Sequence, residues 1–163
     1  MRKKDVLFVC VHNSARSQMA EEYVRLLSDG RLEVESAGFK PTEINPLAVE
    51  VMKEDGIDLS GKSTQSVFDL YKQGRTYRFV ITVCEESEGG CPIFPGLTHK
   101  LYLPFPDPSA LEGTHEEKLA KVREIRDEIK RMMRDFVDWE KMGAKWQLDK
   151  VWERVDIENP SAS

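Results

Sequence analysis

Short apolar runs alternate with amphipathic stretches along most of this chain. Residues 6–11 form a continuous apolar run of strand length, the pattern of a strand buried on both faces. Residues 17–27 place Met19, Ala20, Tyr23, Val24 and Leu27 on one helical face, and Asp29-Gly30 ends that helix. A second strand is predicted over 32–37, closed by Ser36-Ala37-Gly38. Asn45-Pro46 supplies a cap and a first-turn proline for a helix striped by Leu47, Ala48, Val51 and Met52. Residues 66–72 read as a short helix, and 78–84, with Phe79, Val80, Ile81 and Val83, as a third buried strand. The segment 85–97 is loop-like, with three glycines and two prolines. A fourth strand follows over 98–103. Thr114-His115-Glu116-Glu117 is a capping box that opens a long helix carrying Leu119, Val122, Ile125, Ile129, Met132 and Phe136 at helical spacing.

The alternation implies βαβ units, hence an α/β fold of three layers. Its centre is a four-stranded parallel sheet, order 2-1-3-4, with helices on both faces. Ligands in such sheets bind beyond the carboxyl ends of the strands, where the strand order reverses. Cys10 ends the first strand and Cys84 the third. In this order the two strands are neighbours, about 4.8 Å apart, so the two sulfurs emerge on one edge within the range a disulfide spans. The expected organisation is one catalytic α/β domain over 1–137. An extension over 138–163 packs on it, with a frayed end. That extension carries Trp139, Trp146 and Trp152 among charges, either as a helical cover for apolar surface or as a partner contact.

Composition narrows the function. The chain has 163 residues, 40% of them apolar and 33% charged, as in an ordinary soluble domain. A formal charge of −5 without a basic block argues against nucleic acid. The apolar runs are too short to span a bilayer, and no signal-type apolar core follows Met1, so a cytoplasmic chain with no membrane partner is expected. Three cysteines, Cys10, Cys84 and Cys91, argue against a structural disulfide framework, and the histidine and cysteine spacings fit no zinc motif.

The chemistry concentrates in Cys10-Val11-His12-Asn13-Ser14-Ala15-Arg16, a C-x5-R loop between a strand and a helix. A strand that turns into a helix leaves several backbone N–H groups without intrahelical partners, and these favour an anion. A cysteine at that point sits where the thiolate is the preferred form. Arg16 adds a planar fork that can grip two oxygens of a tetrahedral oxyanion. Asp107-Pro108, after the fourth strand, places a carboxylic acid where it can protonate a leaving oxygen.

Over about residues 5–136 the chain resembles the thioredoxin-coupled arsenate reductases, which share the fold of the low-molecular-weight protein tyrosine phosphatases. The matching residues are Cys10, Asn13-Ser14 and Arg16-Ser17-Gln18-Met19-Ala20-Glu21; then Ser36-Ala37-Gly38; then Cys84-x6-Cys91-Pro92 and Asp107-Pro108. The cysteine pair separates reductases from phosphatases. The resemblance implies that arsenate is held by Arg16 and the backbone of Val11, His12, Asn13, Ser14 and Ala15. It implies that Cys10 attacks arsenic with help from Asp107. Cys84 then attacks Cys10, Cys91 attacks Cys84, and thioredoxin reduces the resulting Cys84–Cys91 bond. Each sulfur step is thiol–disulfide exchange. The polar, glycine-bearing segment 85–90 has the freedom such a relay needs. The resemblance further implies that Ser17 bonds the Cys10 sulfur and that Asn13 braces the loop.

No cofactor is expected to be tightly bound. Some relatives hold a potassium ion near Asn13, Glu21, Ser36 and an aspartate, and here the last position is Gln65. Where relatives often have Thr-Gly and a further cysteine, this loop has Val11-His12 and Ala15. His12 either adds positive charge near the sulfur or lies at the rim. A monomer is expected. Two other functions fit the same loop: a phosphatase hydrolysing a Cys10 thiophosphate, and a non-catalytic redox or metalloid sensor. A sensor has no need of a placed acid such as Asp107.

Overall fold

The computed structural model describes residues 3–85 and 98–143. The strands are β1 (Lys4–Cys10), β2 (Val34–Gly38), β3 (Tyr77–Thr82) and β4 (His99–Tyr102). The helices are α1 (Arg16–Leu27), α2 (Pro46–Lys53), α3 (Val67–Lys72) and α4 (His115–Lys141). A 3-10 turn spans Pro108–Ala110. All four strands are parallel, in the order β2-β1-β3-β4.

The side-chain period of a strand sorts β1 between two cores. Val6, Phe8 and Cys10 join the larger core, together with residues of α1, α2 and α4. Leu7 and Val9 join a smaller one with Ala37, Val67, Leu70, Tyr77 and Val80, under α3. This is why residues 6–10 are apolar without a break, and why the Cys10 side chain leans toward α1. Asn45 caps α2 through Leu47 N at 2.8 Å, Ser66 caps α3 through Phe68 N at 3.1 Å, and Thr114 caps α4 through Glu117 N at 3.2 Å.

Behind the loop, α1, α2 and α4 are tied together. Tyr23 donates to Asp55 Oδ2 at 2.6 Å, Lys130 reaches the same oxygen at 3.2 Å, and Arg126 donates to the Val51 carbonyl at 2.7 Å. Burial, then the bond to the Asp55 carboxylate, holds the Tyr23 phenol above its ordinary pKa, so it remains a donor at neutral pH.

Several boundaries differ from the periodicity: β1 starts two residues early, at Lys4, and β2 two residues late, at Val34. β3 ends at Thr82, not at residue 84, although Val83 N still donates to the Val9 carbonyl at 2.9 Å. α4 runs on through the division drawn between residues 137 and 138, because Trp139 is buried edge-on against Phe79, 5.6 Å between ring centroids. The part of the expected extension from residue 144 onward, with Trp146 and Trp152, lies outside the described residues. No described helix is long and apolar enough to cross a membrane.

Candidate active site

The loop between β1 and α1 hangs from its carbonyls. Those of Cys10, Val11, His12 and Ser14 accept from the backbone N–H groups of Phe39, Lys40, Thr42 and Asn45 at 3.1, 2.7, 3.1 and 2.9 Å. The Asn13 carbonyl accepts from Gln18 Nε2 at 3.1 Å, and that of Ala15 from Met19 N at 2.9 Å. In a trans peptide the N–H of the next residue points opposite to the carbonyl. Six carbonyls turned outward therefore aim the following amides into the concave side, above the Cys10 sulfur. Ala15 occupies the N-cap position of α1 and offers no side-chain cap, so the free end of that helix adds to the same field.

Cys10 is buried and free of any disulfide. Asn13 N donates to its Sγ at 3.0 Å, and Ser17 Oγ lies 2.9 Å from it. Ser17 Oγ already accepts from Asn13 Nδ2 at 2.8 Å, which turns the hydroxyl proton toward the sulfur. Asn13 itself has φ +54°, in the left-handed region. The residue is held there by bonds at every polar atom of its side chain: Nδ2 to Ser17 and Ser36, Oδ1 from Gln18 Nε2 and Gln65 N.

Gly38, at the end of β2, is the floor on which this loop sits. A Cβ there meets Asn13 N and Val11 O at 2.8 Å and His12 C at 2.9 Å, all backbone atoms. Gly38→Ala is expected to destabilise the fold by about 1–3 kcal/mol, the usual range for overpacking. The same change pushes the amide ring off register, with a loss of kcat/KM on the order of 10²-fold, as an ångström-scale misplacement gives. Denaturant melts and steady-state kinetics of the variant check both.

Arg16 is nearly fully buried at the first turn of α1. Its Nη1 donates to the Phe105 carbonyl at 3.0 Å, and its Nη2 lies 3.7 Å from Asp107 Oδ1. The loop after β4 thus fixes the guanidinium beside the cradle. Asp107 has two occupations. Its Oδ1 accepts from Ser109 N at 2.9 Å and from Ser109 Oγ at 2.7 Å, capping the 3-10 turn, while the carboxylate faces Arg16. A turn residue and a residue at the mouth of the loop are here the same residue.

The cation site suggested by resemblance does not fit. Glu21 Oε1 accepts from Ser36 Oγ at 2.8 Å. Its Oε2 takes the Lys62 ammonium and, at 3.1 Å, Arg25. Ser36 Oγ and Ser36 O accept from the amide nitrogens of Asn13 and Gln65 at 2.9 Å each. Asn13 and Gln65 thus turn N–H groups, not oxygens, toward Ser36, and two fixed cations already sit on the carboxylate. Among the described residues no group of three or more His, Cys, Asp and Glu side chains could hold a metal.

Cys84 is buried and belongs to the same core cluster as Cys10. The register pairs Val9 with Thr82, the last residue of β3, which sets Cys84 just past the level of Cys10 and beyond the end of the neighbouring strand. Cys84 takes part in a disulfide, and that bond does not involve Cys10. Cys91 and most of the loop-like segment, 86–97, lie outside the described residues. His12 Nδ1 is bound to the Lys40 carbonyl at 3.1 Å, and its ring lines a groove of about 830 Å³ between the loop and the α4 N-terminus, with Ile44, Pro46, Leu111 and His115. Lys62 on Glu21 and the Phe105 carbonyl on Arg16, which the sequence does not single out, complete the site; Gly38 and Gln18, matched there only as parts of motifs, are its floor and the support under Asn13.

A buried thiol under a ring of amides, an arginine beside it and an aspartate at the mouth form an oxyanion-handling cysteine site on a parallel α/β sheet. The chain belongs to the low-molecular-weight phosphotyrosine protein phosphatase family, whose model matches residues 5–148. Within that fold it stands among the arsenate reductases. It is 37% identical over 138 residues to the arsenate reductase of Halalkalibacterium halodurans, covering 85% of this chain and 98% of that protein. It is 34% identical over 139 residues to that of Bacillus subtilis, with the same coverage of each. A thioredoxin-dependent arsenate reductase from Corynebacterium glutamicum superposes with a TM-score of 0.63 at 28% identity, covering 88% of this chain and 64% of that one.

Proposed function

We propose that this chain reduces arsenate to arsenite by a three-cysteine relay that thioredoxin resets. The observation that carries this reading is the Cys10 sulfur, which receives an N–H and a hydroxyl at the base of the amide ring while a second cysteine lies past the end of the adjacent strand.

Arsenate enters the cradle, where the amides of residues 12–16 and Arg16 hold its oxygens. The Cys10 thiolate attacks arsenic. One oxygen leaves as water, its proton supplied by Asp107, and an S–As bond remains. The Cys84 thiolate then attacks Cys10 Sγ. The S–As bond breaks, its electron pair passes to arsenic, and arsenite departs from a Cys10–Cys84 disulfide. Cys91 attacks Cys84 Sγ next and releases Cys10 as thiolate. The dithiol of thioredoxin reduces the Cys84–Cys91 bond, so two electrons enter for each arsenate reduced. The reaction needs no metal-bound intermediate. The chain acts as a monomer in the cytoplasm, where thioredoxin keeps thiols reduced.

The test is a coupled assay with purified protein, thioredoxin, thioredoxin reductase and NADPH. NADPH oxidation that depends on added arsenate, with arsenite accumulating in equal amount, is the expected outcome. Aryl-phosphate hydrolysis without arsenate-dependent NADPH oxidation would make the chain a phosphatase instead.

A further inference from the structure

We propose that Lys62 is a built-in cation that holds Glu21, the far end of the hydrogen-bond relay ending on Cys10. This goes beyond the arsenate reading but rests on its premise that the loop of residues 10–16 binds a tetrahedral oxyanion.

The relay runs from the back of the molecule to the sulfur. Lys62 Nζ donates to Glu21 Oε2 and, at 2.6 Å, to Glu22 Oε1. Arg25 reaches the same two carboxylates, at 3.1 and 2.6 Å. Ser36 Oγ donates to Glu21 Oε1 at 2.8 Å. A carboxylate with donors on both oxygens is an acceptor only, so the Ser36 proton has one place to go. Its lone pair then faces Asn13, whose Oδ1 is already taken by Gln65 N and Gln18 Nε2 and which presents Nδ2. The same Nδ2 occupies the lone pair of Ser17, and the Ser17 proton is left for Cys10 Sγ at 2.9 Å. The Ser36 bond takes its sense from the acceptor at Glu21, and the Gln65 N–H, which donates to Asn13 Oδ1 at 3.0 Å, holds the Asn13 amide in the same sense.

Glu21 is buried and sits on α1 five residues after Arg16. A carboxylate taken out of water needs opposite charge close by. Arg25 lies on its own helix, one turn on; Lys62 comes from the segment before α3, 41 residues away. Lys62 therefore also ties that segment to α1, beside Ser63 and Gln65, whose carbonyl and amide hold Gln18 and Asn13. Where a mobile monovalent cation would have to be recruited, this chain carries an ammonium on a tether. Lys62 touches neither the oxyanion nor the sulfur and is a positioning residue.

The experiment compares the parent protein with Lys62→Ala and Lys62→Arg in KCl, NaCl and choline chloride at matched ionic strength. Two readouts are followed that need no turnover of arsenate: the melting temperature and the Kd of inorganic phosphate in the loop. The parent is expected to show equal values in the three salts. Lys62→Ala is expected to bind phosphate roughly tenfold more weakly in choline chloride, the size of effect seen when an outer partner is removed. Potassium chloride should then restore part of that loss saturably, by taking the place of the ammonium on Glu21 Oε2, which lines a polar pocket of about 340 Å³. Lys62→Arg should stay near the parent. A saturable potassium-specific rise in melting temperature of the parent overturns the proposal. So does a Lys62→Ala protein that binds phosphate as the parent does. If Lys62→Ala does not fold, the salt series on the parent and the behaviour of Lys62→Arg still decide. If the parent binds no phosphate in any salt, the oxyanion premise has failed, a result separate from both.

Discussion

Cys10→Ser is expected to abolish arsenate reduction, lowering turnover by on the order of 10⁴-fold or more, as loss of a covalent nucleophile does. The serine oxygen keeps both neighbours, Asn13 N and Ser17 Oγ, so the loop remains folded. It cannot form a disulfide, and its hydroxyl is far less nucleophilic at neutral pH than a thiolate. The same variant should retain phosphate affinity within a few-fold, because amides and Arg16 do the binding. Coupled NADPH oxidation measures the first effect and titration calorimetry with phosphate the second. A variant that still reduces arsenate would remove Cys10 from the chemistry. One that loses phosphate binding entirely would show that the sulfur was shaping the loop.

The second large effect is expected from Cys91→Ser. Without the last thiol, the relay stops once Cys84 has attacked Cys10. One equivalent of arsenite forms per enzyme and NADPH oxidation then ceases, with Cys10 locked in a disulfide. Aryl-phosphate hydrolysis by free Cys10, where present, is unaffected before arsenate is added and lost after it. Rapid-quench measurement of arsenite, with mass spectrometry of the trapped disulfide, distinguishes a single turnover from slow cycling. A Cys91→Ser protein that cycles as fast as the parent would sink the three-cysteine scheme.

What could be read from the chain in advance was whatever is local. The apolar run before Cys10 and the stripe after Arg16 define a strand and a helix by their periods, and the loop between them follows. Asn45-Pro46 and Thr114 mark helix starts because capping is a matter of three or four residues, while Ser66, read as the first residue of a short helix, is the cap of α3. Strand ends were read less well. β3 stops before Cys84, and no change in apolarity marks where ladder pairing ends. Asp107 was legible as an acid beside a proline, but its approach to Arg16 depends on β4 delivering it there. The Lys62–Glu21 contact had no sequence signal at all. Ion pairing leaves no periodicity, and a lysine 41 positions away is indistinguishable from its surface neighbours until the chain is folded. Gly38 was visible as a strand terminator; that it must lack a Cβ follows only from the backbone packed upon it.

The oxyanion grip of this molecule is written in peptide groups, and that has a bearing on its adaptability. Side chains at Val11, His12 and Ser14, which are only part-buried, can be exchanged without touching the donors that do the holding, provided the suspension from residues 39–45 survives. Natural drift or a designer can therefore redecorate the entrance, changing which companions and leaving groups are admitted, while the tetrahedral seat beneath stays as it is.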